Sequence, residues 1–288
     1  MFPGATADRD PASYVVVGAP LDATTTFQPG TRFGPDRVRR FADTYDDYDH
    51  TTGSHFSEVG VHDAGDIHPW DDVPGYLDHL AAELRSVTYD DAVPLLLGGE
   101  HTVTYAGVDA GAPDTLVVVD AHLDLRAEYG GNPWSHACVT RRALDDLGVD
   151  RAIIVGARTG SSAEWERASG EDVTVVPPAD ASNWIADLAA DPSALGGDTY
   201  LSVDIDGLDP GFAPGTGTME PFGLEPRTVR DLVRTVAPHA DGFDVVEVND
   251  RDDGQAAAVA GKLLREFVYH HADARDVAGS VSGRDEDA

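Results

Sequence analysis

Apolar residues gather in short, β-branched runs at Tyr14 to Gly18, Pro94 to Gly98, Thr115 to Asp120, Ala152 to Gly156, Asp172 to Val176, Thr199 to Asp204 and Phe243 to Val248. The runs are near-continuous rather than alternating, and Gly, Pro or Asp bounds most of them, which is the pattern of strands buried on both faces. Between them, apolar positions recur with helical spacing over Val73 to Val87, His136 to Leu147, Pro226 to Val236 and Gln255 to His271, often opened by an acid, Ser or Pro. Strand and helix therefore alternate. That alternation predicts an α/β fold, a three-layer α-β-α sandwich whose mostly parallel sheet is covered on both faces through right-handed crossovers.

No internal repeat is visible. The Gly/Pro clusters at Gln28 to Pro35 and Asp209 to Gly217 lie where strands hand over to loops, so they read as site loops and not as linkers. One domain is expected over residues 1–272. The tail, 273–288, is polar and poor in apolar residues and is expected to be disordered.

Three of the predicted strands end in the same chemistry: Leu97-Gly98-Gly99-Glu100-His101, Val119-Asp120-Ala121-His122-Leu123-Asp124 and Val203-Asp204-Ile205-Asp206. In an open parallel sheet the carboxyl ends of the strands line one edge, so groups distant in sequence meet in one crevice. Spacing by two sends Asp120, His122 and Asp124 to one side if strand geometry continues through them, and the same holds for Asp204 and Asp206. A single Asp after a strand is usually a cap or turn residue, and a single His is usually satisfied by a hydrogen bond. Two imidazoles and four carboxylates in one crevice are another matter, because that much negative charge needs cations. Oxygen-rich ligation with a minority of imidazole suits Mn²⁺ better than Zn²⁺ or Cu²⁺. A metal pair about 3.5 to 4 Å apart activates water for hydrolysis, but the metals alone leave phosphate, peptide, amide and guanidinium open as the group attacked.

Those three motifs, the last continuing through Gly207-Leu208-Asp209-Pro210, resemble the ureohydrolase family, the arginases and agmatinases. Gln28 to Pro35, Asp63 to Ile67 and Val246 to Asn249 look like further family segments, so the likeness covers nearly the whole chain. Tyr129 to His136 and Ala213 to Thr218 are most similar to the agmatinase branch. The resemblance implies an arginase-like sheet of about eight strands and two Mn²⁺ per chain. It also implies one ion held by His101, Asp120, Asp124 and Asp204 and the other by His122, Asp120, Asp204 and Asp206, with Asp120 and Asp204 bridging. It further implies that His136 is the proton shuttle for the departing amine and that Glu247 pairs with the guanidinium; Asp124 joins them as a catalytic residue and Asn132 as a substrate-side one. A carboxylate holds a planar cation through paired hydrogen bonds, and histidine titrates near neutrality, so both roles make chemical sense. The expected reaction is agmatine plus water to putrescine plus urea, with arginine, guanidinobutyrate and aminopropylagmatine as other guanidino substrates. Glu128 or Asp209 would supply an acidic mouth for the agmatine ammonium. Three positions depart from the family pattern, namely Thr102, Phe222 and Asp250, and none is an expected ligand.

Charge adds a separate inference. The 288 residues carry 52 acids against 20 basic residues, a formal net charge of −32, with Lys262 the only lysine. Nucleic acid and anionic lipid are poor partners for such a surface. The acids are dispersed through the chain, which suits solvation in concentrated salt and suggests a halophilic source. A Debye length of about 3 Å at 1 M salt screens self-repulsion that dilute buffer leaves intact, so the melting temperature should rise steeply from dilute buffer to molar salt. Equal melting in both would remove the halophile inference.

No run approaches the roughly 18 apolar residues of a membrane span, and Met1 to Asp10 lacks a basic region followed by an apolar stretch. The lone Cys138 fits a reducing interior, so a cytoplasmic address is expected. The resemblance implies a homo-oligomer, a trimer or hexamer. Two rival readings stand beside the ureohydrolase: a metal-dependent amide hydrolase or deacetylase, generally with one metal, and a relative that binds without turnover.

Overall fold

The computed structural model describes residues 1–282. The chain opens with β1 (Tyr14–Ala19) and α1 (Gly34–Ala42), then a small hairpin of β2 (Tyr48–Asp49) and β3 (Ser54–His55), followed by β4 (Val61–Asp66), α2 (Val73–Tyr89) and β5 (Val93–Gly98). Next come α3 (Thr104–Gly111), β6 (Thr115–Val119), α4 (Val139–Asp146), β7 (Arg151–Val155), α5 (Ser162–Arg167) and β8 (Val173–Val176). The last part comprises α6 (Ala181–Ala190), β9 (Thr199–Asp204), α7 (Pro226–Val236), β10 (Ala240–Val246) and α8 (Gln255–Ser282).

Among the described residues the main sheet has eight strands in the order β4-β1-β5-β10-β9-β6-β7-β8, and every neighbouring pair is parallel. Alternate residues of each strand feed opposite faces. Val16, Leu95, Val117, Leu201 and Phe243 pack with α1, α6, α7 and α8 through Val38, Ile185, Leu232 and Phe267. Val15, Val17 and Leu96 pack instead with α2 and α3 through Leu77, Leu80 and Ala106. Two apolar faces on one sheet explain the continuous runs, since neither face meets water. The three layers follow directly.

The structure differs from expectation in three places. β4 pairs with β1 at the sheet edge, and its sequence, Val61-His62-Asp63-Ala64-Gly65-Asp66, carries too few apolar residues to register as a strand. The short helices α1, α3, α5 and α6 lack a long amphipathic stripe and likewise escaped the spacing argument. The expected tail boundary after residue 272 falls inside α8, which continues to Ser282, with Ala272 still packed against the core. The remainder of that tail, 283–288, lies outside the described residues. Among the described residues no helix is long and apolar enough to cross a membrane.

Candidate metal centre

The four middle strands, β5, β10, β9 and β6, are neighbours in the sheet, and their carboxyl ends deliver the candidate ligands. Glu100 and His101 follow β5, Glu247 follows β10, Asp204 ends β9 with Asp206 two residues on, and Asp120, His122 and Asp124 follow β6. The carboxylates and His101 are buried, while His122 is partly exposed. At the β5 exit the chain runs against the loop after β1. Gly99 N–H donates to Ala19 O at 2.8 Å, and a Cβ on Gly99 would lie 1.9 Å from Leu21 O, so only glycine fits beneath Glu100 and His101.

Period-two strand geometry does not carry through the ligands. β6 stops at Val119, and Asp120 to Asp124 form an irregular turn in which Asp124 adopts φ +50°. Glu247 is also left-handed, at φ +61°. Such backbone costs about 1–3 kcal/mol per residue and persists where surrounding structure over-determines it. The side chains converge all the same, because Asp120 Oδ1 accepts from His122 N–H at 2.6 Å and Asp204 Oδ1 accepts from Asp206 N–H at 2.8 Å. Each pair thus folds back on itself through an Asx turn.

Two groups of ligand atoms result, His101 with Asp120 and Asp204, and His122 with Asp120 and Asp206, each lying within 4.8 Å of one another. Asp120 belongs to both. His101 Nδ1 stands 3.1 Å from Asp120 Oδ2, 3.0 Å from Asp124 Oδ2 and 3.5 Å from Asp204 Oδ2. His122 Nδ1 stands 3.2 Å from Asp206 Oδ2 and 3.4 Å from Asp120 Oδ1. Asp120 Oδ2, fully buried, has no hydrogen-bond partner. Among the described residues His101 is its one ion-pair neighbour, and a buried carboxylate oxygen without a well-formed hydrogen bond is costly, so the oxygen is open to a cation, and the oxygen-rich donor set fits a divalent ion.

Electrostatics agree. Burial pushes the Asp124 carboxyl up to about 6, helped by Asp120, and burial with Asp206 and Asp120 pushes Asp204 well above the usual carboxylate range. Asp206 is raised too, chiefly by burial. Asp120 is the exception: burial acts against its ionisation, but the two imidazoles hold it down. Burial lowers the His122 imidazole, yet Asp206 and Asp120 lift it to about 12, and Asp120 and Asp124 raise His101 well above its ordinary value in the same way. Without a cation the site therefore keeps protons that a divalent ion displaces.

His136 and Glu247 sit together beside this cluster. His136 Nδ1 lies 2.9 Å from Glu247 Oε1, which also accepts His101 N–H at 2.9 Å. Thr26 N–H donates to His136 Nε2 at 3.2 Å, which leaves the Nδ1 proton to Glu247 in the neutral imidazole. Burial opposes the charge on His136, but Glu247 outweighs it and raises the imidazole to about 9; burial likewise opposes the Glu247 charge, and His136 brings that carboxyl below its ordinary value. The expected helix from His136 begins as a single 3-10 turn, His136–Cys138, with Ser135 Oγ accepting Ala137 N–H.

A pocket of about 320 Å³ opens onto these groups, walled by His122, Asp124, His136, Asp204, Asp206 and Glu247 together with Thr26, Arg126, Ser161, Glu164 and Thr218. Asn132 is not on its wall; its side-chain oxygen accepts Trp134 N–H at 3.0 Å and shapes the loop instead. Glu128 and Asp209 do not reach it either. Asp209 spends its carboxylate on the N–H groups of Gly211, Phe222 and Gly223. Phe222 is 88% exposed and off the pocket wall, and the Thr102 hydroxyl lies 3.1 Å from that of Thr24. Cys138 is buried, and burial pushes its thiol up to about 11, which leaves it inert.

Several contributors went unread in the sequence. His101 Nε2 lies 3.2 Å from Ser202 Oγ, which donates to Asp244 Oδ1 at 2.6 Å, while Tyr200 donates to Asp244 Oδ2 at 3.0 Å. This relay orients the imidazole from behind. An acid inside the apolar run Phe243-Asp244-Val245-Val246 was the available signal. Arg126, on the pocket wall, pairs with Glu164 at 3.0 Å, and nothing in its spacing announced it.

Known proteins are similar to this chain in sequence and in fold. The sequence model of the arginase family matches residues 12–269. An agmatinase of Pyrococcus horikoshii is 36% identical over 90% of this chain and 92% of its own. An N(1)-aminopropylagmatine ureohydrolase of Thermococcus kodakarensis is 36% identical over 89% and 90%. The crystal structure of agmatine ureohydrolase of Thermoplasma volcanium superposes with a TM-score of 0.90 at 36% identity, covering 96% of this chain and 95% of that one. With a family match spanning the sheet and both halves of the ligand cluster, the chain belongs to the arginase family.

Proposed function

We propose that this chain is an agmatinase-type ureohydrolase that converts agmatine and water to putrescine and urea. The observation that carries the reading is the cluster of two imidazoles and four carboxylates, with no hydrogen bond to the buried Asp120 Oδ2, next to the His136–Glu247 pair in one pocket. His101, Asp120, Asp124 and Asp204 would hold one Mn²⁺, and His122, Asp120, Asp204 and Asp206 the other. When bound, such a pair lowers the pKa of water towards neutrality and so supplies a nucleophile.

The protein's own groups do the rest. Glu247, fixed by His101 N–H and by its strained backbone, offers a carboxylate to the planar guanidinium and turns the guanidino carbon towards the cluster. Water adds to that carbon, His136 gives the alkyl nitrogen a proton and the bond to that nitrogen breaks with its electron pair on nitrogen; of the added water's two protons one returns to His136 and the other goes to the departing amine, leaving urea and an alkylammonium. The pocket also favours agmatine over arginine. Among the described wall residues Arg126 is the one arginine, and Glu164 already meets its charge, which leaves no unpaired guanidinium for a substrate carboxylate. Aminopropylagmatine is the second reading, supported by the equally similar relative that acts on it.

The lone buried thiol supports a reducing, cytoplasmic setting, and family membership supports a homo-oligomer. The deciding experiment is urea release across agmatine, aminopropylagmatine, guanidinobutyrate and arginine, in molar salt with added Mn²⁺ and with metal counted per chain. Turnover highest on agmatine, with two ions, is the expected result. One zinc with acetate released from an acylated amine would replace the reading with a deacetylase.

A further inference from the structure

Glu100 stands beside a candidate ligand yet belongs to neither ligand group, and it is fully buried. A carboxylate at that depth, near the Glu247 carboxylate, is costly unless hydrogen-bonded. Among the described residues, the hydrogen bonds of its carboxylate all go to one loop. Thr24 N–H lies 3.1 and 2.9 Å from Oε1 and Oε2, Thr24 Oγ1 donates to Oε1 at 2.8 Å, and Thr25 Oγ1 donates to Oε2 at 3.0 Å. The same loop grips His136. Thr24 Oγ1 accepts His136 N–H at 3.0 Å, while Thr26 N–H and Oγ1 lie 3.2 and 3.0 Å from Nε2. The imidazole is thus suspended between Glu247, delivered by the sheet, and Thr26, delivered by a loop that Glu100 clamps.

We propose that Glu100 is the positioning residue for His136, acting through the Thr24–Thr26 loop and touching neither substrate nor metal. As a statement about proton delivery this rests on the ureohydrolase reading; as a statement about the imidazole it stands on geometry alone. Glu100→Gln keeps one acceptor and one donor within reach of Thr24 and Thr25, whereas Glu100→Ala releases the loop.

The test uses the metal-loaded full chain and follows carbethoxylation of His136 by peptide mass spectrometry, alongside kcat and KM for urea release. In Glu100→Ala the His136 modification rate should rise about tenfold as the loop opens. Its kcat should fall about 10²-fold, the effect of misplacing a catalytic group by about 1 Å, with KM moving far less. Glu100→Gln should restore most of both. A His136 modification rate unchanged in Glu100→Ala overturns the proposal, as does a Glu100→Gln variant no better than Glu100→Ala. Where Glu100→Ala fails to fold or to load metal, Thr24→Val carries the same test, since it deletes the hydroxyl shared by Glu100 and His136 N–H; an unchanged rate there is equally fatal. If wild-type protein released no urea while Glu100→Ala still exposed His136, the functional reading would fall and the positioning role would stand.

Discussion

Replacing Asp120 by Asn should abolish metal loading and urea release together. Asp120 is shared by the two groups of ligand atoms that lie together in the structure, and its buried Oδ2 has no hydrogen bond although His101 Nδ1 lies 3.1 Å away. An amide keeps the volume and, through its oxygen, can still accept His122 N–H as Asp120 Oδ1 does, so circular dichroism should be unchanged. What it loses is the negative charge shared between two sites. Removing even an outer partner of a metal ligand costs about 10- to 100-fold in affinity or activity, so loss of a bridging ligand should exceed about 10²-fold in turnover, with fewer than two ions per chain by elemental analysis. Full turnover with two ions bound would remove Asp120 from the centre, and with it the assignment of the whole cluster.

His136→Asn is expected to spare the metals and strike the second half of the reaction. General acid catalysis contributes about 10²- to 10⁴-fold, and kcat should fall within that range while KM changes little. The pH profile gives the sharper readout. Burial disfavours the charged imidazole, but Glu247 raises it to about 9, so His136 carries its proton through the neutral range. Activity that depends on this acid is present below that value and lost as pH rises through about 9, and this alkaline limb should vanish in His136→Asn. Linkage runs the same way. The pKa of His136 in the folded chain lies above the roughly 6.5 of a free imidazole, so its stabilising contribution is complete below the latter and fades as pH rises through the former. An alkaline limb that survives the substitution would assign the proton to another group.

The two variants probe residues of different legibility. Asp120, His122, Asp204 and Asp206 were readable because each follows an apolar run, and the ends of parallel strands share an edge. The alternation expected through these residues is not the local geometry found, since an Asx turn and a left-handed Asp124 bring the side chains together where strand geometry stops. Asn132 was misplaced for a related reason: its oxygen is consumed within its own loop, which no motif announces. Glu100 lay in a quoted motif without a role, because its partners, Thr24 and Thr25, are about 75 residues away.

By itself the sequence determined the layered architecture, because apolar periodicity is a local property that sets which faces must be buried. It also placed carboxylates and imidazoles at the strand ends, and a cluster of that composition must balance its buried charge with cations or bound protons whatever path the backbone takes. Only the tertiary structure decided that β5, β10, β9 and β6 are neighbours, that Glu247 meets His136 across 111 residues, and that Arg126 is neutralised by Glu164. These contacts depend on strand order and loop path, which arise from the sum of many weak, distant packing choices and leave no periodic trace in the chain.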